Sequence, residues 1–151
     1  MEMKKILISA CLLGVSCRWN GKDNRNDDVL DLIGKAILVP VCPEQLGGLS
    51  TPRARQEIQG GSGEDVFTDR AKVITENGEN VTAQFVKGAE ETLKIARIFQ
   101  ADAFIGKSFS PSCSVSEIYD GTFSGKTMKG RGTAAALLMR CGIAVRSEEE
   151  I

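Results

Sequence analysis

The segment AILVPVCPEQLGG, residues 36 to 48, decides how the chain is read. Its first half is a continuous apolar run with the length and composition of a strand buried on both faces. The run ends at Cys42, with Glu44 two residues on and Gly47-Gly48 closing the segment. Pro40 has no amide hydrogen to give a neighbour, so the strand is irregular there or lies at an edge of its sheet. Pro43 restricts Cys42 to an extended backbone. A thiol and a carboxyl group therefore stand where a buried strand runs out into a loop.

The same pattern recurs. KKILISAC (4–11) reads as a buried strand closed by Cys11, and ADAFIG (101–106) as another, with Cys113 shortly beyond it in KSFSPSC. IAV (143–145) is a last strand. Helices are expected between them. DDVLDLIGKA (27–36) has carboxylates at its start and Gly-Lys near its end, as the helix dipole prefers. From Thr82 to Gln100, the side chains of Phe85, Ala89, Leu93, Ala96 and Phe99 fall on one face at helical spacing, with Thr82 as N-cap. GTAAALLMRCG (132–142) is a third helix, with Thr133 as N-cap and Gly142 as C-cap. This alternation predicts an α/β fold: one domain over residues 1–151, with a mainly parallel sheet flanked by helices in Rossmann-like layers. Residues 55–80, broken by Gly-Gly, Ser-Gly and Asn77-Gly78, read as a small extended or hairpin insertion. Residues 107–132, rich in Gly, Ser and Lys, read as a long functional loop.

Composition narrows the chemistry. With 151 residues, 42% hydrophobic and 26% charged, the chain reads as soluble and globular with one real core. A net charge of -1 argues against a nucleic-acid polymer as partner, which needs clustered positive charge. No segment has the length and apolarity of a membrane span. The absence of histidine removes the commonest general base and metal ligand together. Catalysis must run on Cys, Asp, Glu, Lys, Ser or Tyr, or on a bound cofactor. Five cysteines, an odd number, point to a reducing, cytoplasmic setting. MEMKKILISACLLGV imitates a lipoprotein leader, but its apolar run before Cys11 covers only Ile6 to Ala10, short of the usual 7–15 residues or so.

Ligands of parallel sheets bind beyond the carboxyl ends of the strands. Cys11, Cys42 and Cys113 all follow strands and are expected to converge there, although they are 31 and 71 residues apart. Cys141 ends a helix and belongs at the opposite edge as a packed or surface thiol. Cys17 follows Cys11 on the same loop, and whether it adds a fourth ligand stays open. Three thiolates with one open position suit a soft centre, zinc or an iron–sulfur cluster.

CLLGVSCRWNG, VCPEQLGGLSTPR, GKSFSPSC, IYDGTFSG, GTAAALL and IAVRSEEE occur in this order along nearly the whole chain. Together they resemble the 2-thiouracil desulfidases, a family of small bacterial proteins long labelled a domain of unknown function. The resemblance implies a [4Fe–4S] cluster bound by Cys11, Cys42 and Cys113, with its fourth iron free of protein ligand. It also implies catalytic roles for Glu44 and Ser110, and a thiolated pyrimidine as substrate. Glu44 would accept a proton from the attacking water while Ser110 positions water or relays the proton, C=S becoming C=O with release of sulfide. Gly47-Gly48 would let backbone approach cofactor or substrate. Two positions depart from the family: Trp19 stands where Tyr is usual, and Ser114 where Gly is usual, both expected at the site. The rivals are a zinc hydrolase on the same thiolates and a non-enzymatic cluster-binding redox or iron sensor.

Each of these residues also has a plainer reading. Glu44 alone is an ordinary capping or solvated carboxyl, and Ser110 before Pro111 a turn residue. Gly106-Lys107-Ser108 suggests a phosphate loop, but Ala101 stands where that motif needs its first glycine. Arg18, Arg53 and Lys107 are substrate contacts or surface charge. YDGTFSG is a turn-rich loop or lid, and Trp19 a stacking or packing residue.

Overall fold

The computed structural model describes residues 2–151. In chain order it contains β1 (Lys5–Ser9), a 3-10 turn (Ala10–Leu13), α1 (Asp27–Leu30), β2 (Ile37–Val41), α2 (Pro43–Leu46) and β3 (Gln56–Gln59). Then come α3 (Gly63–Val66), β4 (Lys72–Thr75), α4 (Thr82–Phe99), β5 (Ala103–Gly106), β6 (Glu117–Tyr119) and β7 (Thr127–Lys129). The chain ends with α5 (Thr133–Arg140), β8 (Ala144–Ser147) and a 3-10 turn (Glu148–Glu150).

The predicted strands form one four-stranded parallel sheet in the order β2-β1-β5-β8. Pro40 lies on β2, an edge strand, where its missing donor costs least. The apolar runs are continuous because both faces are covered. Leu7 and Phe104 pack with Leu93 and Ala96 of α4 and with Ala135 and Leu138 of α5. Ile6, Ile8 and Ile105 face the other way, against Leu12, Cys17 and Val29. Burying each such side chain contributes roughly 1.5–3 kcal/mol. The chain leaves β1 for β2 on one side and returns to β5 on the other, so the strand order reverses beside β1, which is where crevices form in such sheets.

Several local expectations are corrected. The helix predicted over 27–36 stops at Leu30: Asn26 caps it by accepting the Val29 amide, and Gly34 then turns left-handed at φ 88°. Phe99 ends α4 before Gln100 turns left-handed, and remains 46% exposed. Thr82 is not the cap of α4. Its hydroxyl accepts the Val73 amide of β4, while Asn80 Oδ1 accepts the amide of Thr82. Thr133 is the first residue of α5, and its hydroxyl has no partner among the described residues. The first amides of α5 instead donate to the carbonyls of Pro111 and Ser112, which fixes the turn carrying Cys113.

PEQL after Cys42 is a helical turn rather than loop, with Pro43 at its start, where a missing amide is harmless. Gly47 does not face a cofactor. Its backbone lies against the carbonyl of Gln84 in α4, and Gly88 of α4 lies against the carbonyl of Pro43, so side chains at either would separate the two helices.

The segment 55–80 does contain an antiparallel pair, β3 and β4, with α3 between them held by a Ser62–Asp65 capping box. Residues 107–132 are not wholly loop: β6 and β7 pair there as a second hairpin. Ile58, Val66, Val73, Phe85 and Ile118 form a smaller core beneath these pairs.

Candidate active site

A cavity of about 380 Å³ opens beyond the carboxyl ends of β1, β2 and β5. It is lined by Cys11, Cys17, Cys42 and Cys113, by Glu44 and Ser110, and by Trp19, Arg18, Arg53 and Lys107. The six residues predicted from strand ends and resemblance, Cys11, Cys42, Cys113, Glu44, Ser110 and Trp19, are therefore brought together. Cys11 sits on the 3-10 turn two residues past β1, and Cys42 immediately past β2. Cys42 has the extended backbone that Pro43 demands, with φ -126° and ψ 99°. Cys141 is exposed, outside this group, as expected.

The thiols differ in environment. Cys11 is pulled down to about 7 by a hydrogen bond from Cys17, helped by the Asn24 side-chain amide, which donates to its sulfur at 3.5 Å. Cys42 is lowered by its own hydrogen bond to Cys17. Cys17, only 3% exposed, lies between the two and is raised by those same contacts. Burial pushes Cys113 well up, and the nearby charge of Glu44 adds to this.

Glu44 is held from two sides. Arg53 Nη2 lies 3.4 Å from its Oε2, with both side chains nearly buried. The hydroxyl of Ser112 donates to its Oε1 at 2.5 Å. Because that hydroxyl hydrogen is committed to Glu44, the 3.1 Å contact between Ser110 and Ser112 has Ser110 as donor. Ser110 Oγ in turn accepts the amides of Ser112 and Cys113. The result is a directed path from the cavity, Ser110 to Ser112 to Glu44. Ser112 is a site residue the sequence reading missed. Its only signal was its place between Pro111 and Cys113, because the partner is 68 residues away.

Ser114, expected at the site, does not line the cavity: its hydroxyl donates to the carbonyl of Glu117 and is buried under β6. Lys107 turns its amine toward Ser108 and Glu148 rather than forming a phosphate loop. Trp19 stands at the cavity wall with the Arg55 guanidinium 5.6 Å over its ring. The YDGTFSG segment reaches the cavity through Tyr119 and Gly125.

Soft donors without histidine suit a soft centre. Among the described residues no group of three His, Cys, Asp or Glu is arranged to hold a single metal ion. Cys11, Cys42 and Cys113 come from three different loops around an open cavity. Three thiols around one cavity, with no histidine among its lining residues, are the kind of donor set that the separate irons of a cluster take. No helix of the described residues is long and apolar enough to cross a membrane.

The 2-thiouracil desulfurase family profile matches residues 6–150. The uncharacterized protein YbbK of Bacillus subtilis (strain 168) is 47% identical over 146 residues, 97% of each chain. A solved structure of a [4Fe-4S]-dependent thiouracil desulfidase, TudS, superposes with a TM-score of 0.83 at 39% identity, covering 98% of this chain and 93% of that one.

Proposed function

Since this chain belongs to the 2-thiouracil desulfurase family, we propose that it removes sulfur from a thiolated pyrimidine such as 2-thiouracil, with Cys11, Cys42 and Cys113 holding a [4Fe–4S] cluster. The observation that carries this reading is the convergence of those thiols and Glu44 on one cavity at the strand ends. When bound, the cluster supplies an iron with Lewis acidity and affinity for sulfur. The chain's own residues do the rest. Glu44 Oε accepts a proton from the water that attacks the thiocarbonyl carbon. Arg53 and Ser112 keep that carboxyl group aimed into the cavity. Ser110 holds the water or returns a proton along its path to Glu44. Trp19 and Tyr119 offer aromatic walls for a planar ring. The balance is C=S plus water to C=O plus hydrogen sulfide, with no net redox change.

The test is anaerobic reconstitution, with iron and acid-labile sulfide measured per chain and 2-thiouracil turnover followed as sulfide release. Replacing the proton acceptor, Glu44→Gln, is expected to lower turnover by about 10²–10⁴-fold while leaving the cluster spectrum intact. Zinc bound without sulfide would overturn the cofactor assignment. Full turnover in Glu44→Gln would overturn the role of Glu44.

A further inference from the structure

Asn24 lines the cavity, and the reaction gives it no part. Its backbone amide donates to the Cys11 carbonyl at 3.0 Å, and two residues on the Asn26 amide donates to the Leu12 carbonyl at 3.0 Å. The Asp23 carboxylate accepts the Arg25 amide at 2.8 Å, which fixes the bend between them. Residues 23–26 are thus pinned along the 3-10 turn that carries Cys11. From that position Asn24 reaches Cys11 a second time: its side-chain Nδ2 donates to the Cys11 sulfur at 3.5 Å. A thiolate bound to iron has no hydrogen to give, so it attracts the NH2 end of an amide and repels the carbonyl end. Among the described residues, neither of the other two proposed ligands accepts a side-chain amide. The Cys42 sulfur lies 3.8 Å from the Cys17 carbonyl oxygen, a contact that needs the thiol hydrogen and ends when the sulfur binds metal. The Cys113 sulfur lies 3.4 Å from the Ser112 hydroxyl, whose hydrogen is committed to Glu44.

We propose that the Asn24 side-chain amide tunes the metal centre through Cys11, making a cluster held there harder to oxidise and slower to lose iron. This rests on the cluster reading above. The effect is electrostatic. An N–H aimed at a thiolate sulfur stabilises negative charge on it. A reduced cluster carries more negative charge than an oxidised one, so the donor favours the reduced form and raises the reduction potential. The desulfuration has no net redox change, so the gain is not in electron transfer. It lies in keeping a centre that faces an open cavity in one oxidation state. Donors that support a metal ligand also hold it in its bound orientation, and losing one typically costs about 10–100-fold in metal affinity. Asn24 acts through Cys11 and is a positioning residue.

The experiment compares the anaerobically reconstituted full chain with Asn24→Ala, Asn24→Asp and Asn24→Gln. The reduction potential of the cluster is measured by redox titration, and iron release is followed with a chelator. All three variants keep the backbone amide that bonds to the Cys11 carbonyl. The potential is expected to fall from parent to Ala to Asp, because Asp replaces the donor with a negative charge. Gln keeps the donor on a longer arm and should lie between parent and Ala. Iron release should quicken about 10-fold in Ala. Potentials in Ala and Asp equal to that of the parent overturn the proposal even if iron leaves faster, since a purely structural role gives faster loss alone. If Asp does not load, Ala against Gln decides. If the parent loads and no variant does, Asn24 is a structural support and the proposal falls. A parent that takes up no cluster overturns the desulfidase reading and this inference with it, whereas a loaded parent with an unmoved potential overturns this inference alone.

Discussion

The parallel sheet and the two hairpins beside its cavity are held by different means. The sheet is held by apolar packing on both faces, with Leu7, Ile8 and Phe104 fully buried. The hairpins lean on a thinner core and on polar bonds across long stretches of chain. Glu57 of β3 accepts the amides of Gly121 and Phe123, and Gln59 donates to the Gly121 carbonyl, 62 to 66 residues away. Gly121, at φ 90°, lies against the backbone of Ile58, where a side chain would push the hairpin off. The thiols ride on the sheet, whereas Arg55, Glu57, Tyr119 and Gly125 bring the hairpins to the same cavity. One region sets where the thiols sit. The other encloses what reacts there, and it is attached by a few bonds that can be cut singly.

The largest expected effect tests the sheet. Phe104→Ala removes a fully buried ring between α4, α5 and β1 and should cost about 3–5 kcal/mol of stability. Denaturant unfolding measures it. A loss under about 1 kcal/mol would mean that the sheet is not the packed platform on which the thiol positions depend.

The same contrast explains what the sequence revealed. β1, β2, β5 and β8 are short apolar runs whose periodicity is local, and the rule that ligands lie beyond strand carboxyl ends placed Cys11, Cys42 and Cys113 together without any contact information. Pro40 marked its edge strand for the same local reason. The helix caps were misread because the groups that satisfy the first amides are not the nearest hydroxyls. Asn80 displaces Thr82, and two backbone carbonyls from the SPSC turn displace Thr133. The pairing of β6 with β7 and the clamp of Glu57 have no local periodicity to announce them. Ser112 escaped notice for that reason too: a serine beside a predicted ligand reads as turn chemistry until its partner arrives from α2.

An intermediate effect tests the link between the regions and the reaction. Ser112→Ala removes the hydroxyl between Ser110 and Glu44, a bond of the kind worth about 1.5–3 kcal/mol when one partner is charged. If that bond orients Glu44 for proton transfer, kcat falls roughly 10–100-fold at unchanged iron content, since each 1.4 kcal/mol is about a factor of ten. Ser112→Thr, which keeps a hydroxyl, should recover part of it. A loss of iron matching the loss of rate would show that Ser112 instead supports Cys113, whose sulfur lies 3.4 Å away.

The smallest effect separates the regions most cleanly. Glu57 uses a single oxygen, Oε1, to accept both amides of the β6–β7 turn. Glu57→Gln keeps an acceptor in the same place but removes its charge, so the two bonds weaken from charge-assisted to neutral. Glu57→Ala removes them and leaves two amides to find water. The turn is therefore expected to open in graded order, parent, Gln, Ala, by about 1–2 kcal/mol at the end of the series. Amide exchange at Gly121 and Phe123 should quicken in that order while β1 and β5 keep their protection, because local opening need not unfold the sheet. KM for the thiopyrimidine should rise with the exchange rate and kcat should change less, since the wall encloses substrate while Glu44 and the thiols stay on the sheet side. If protection falls equally in β1, β5 and the hairpin, the two regions unfold as one unit. The bonds of Glu57 would then contribute to the stability of the whole domain, and access to the cavity would not be controlled from that wall.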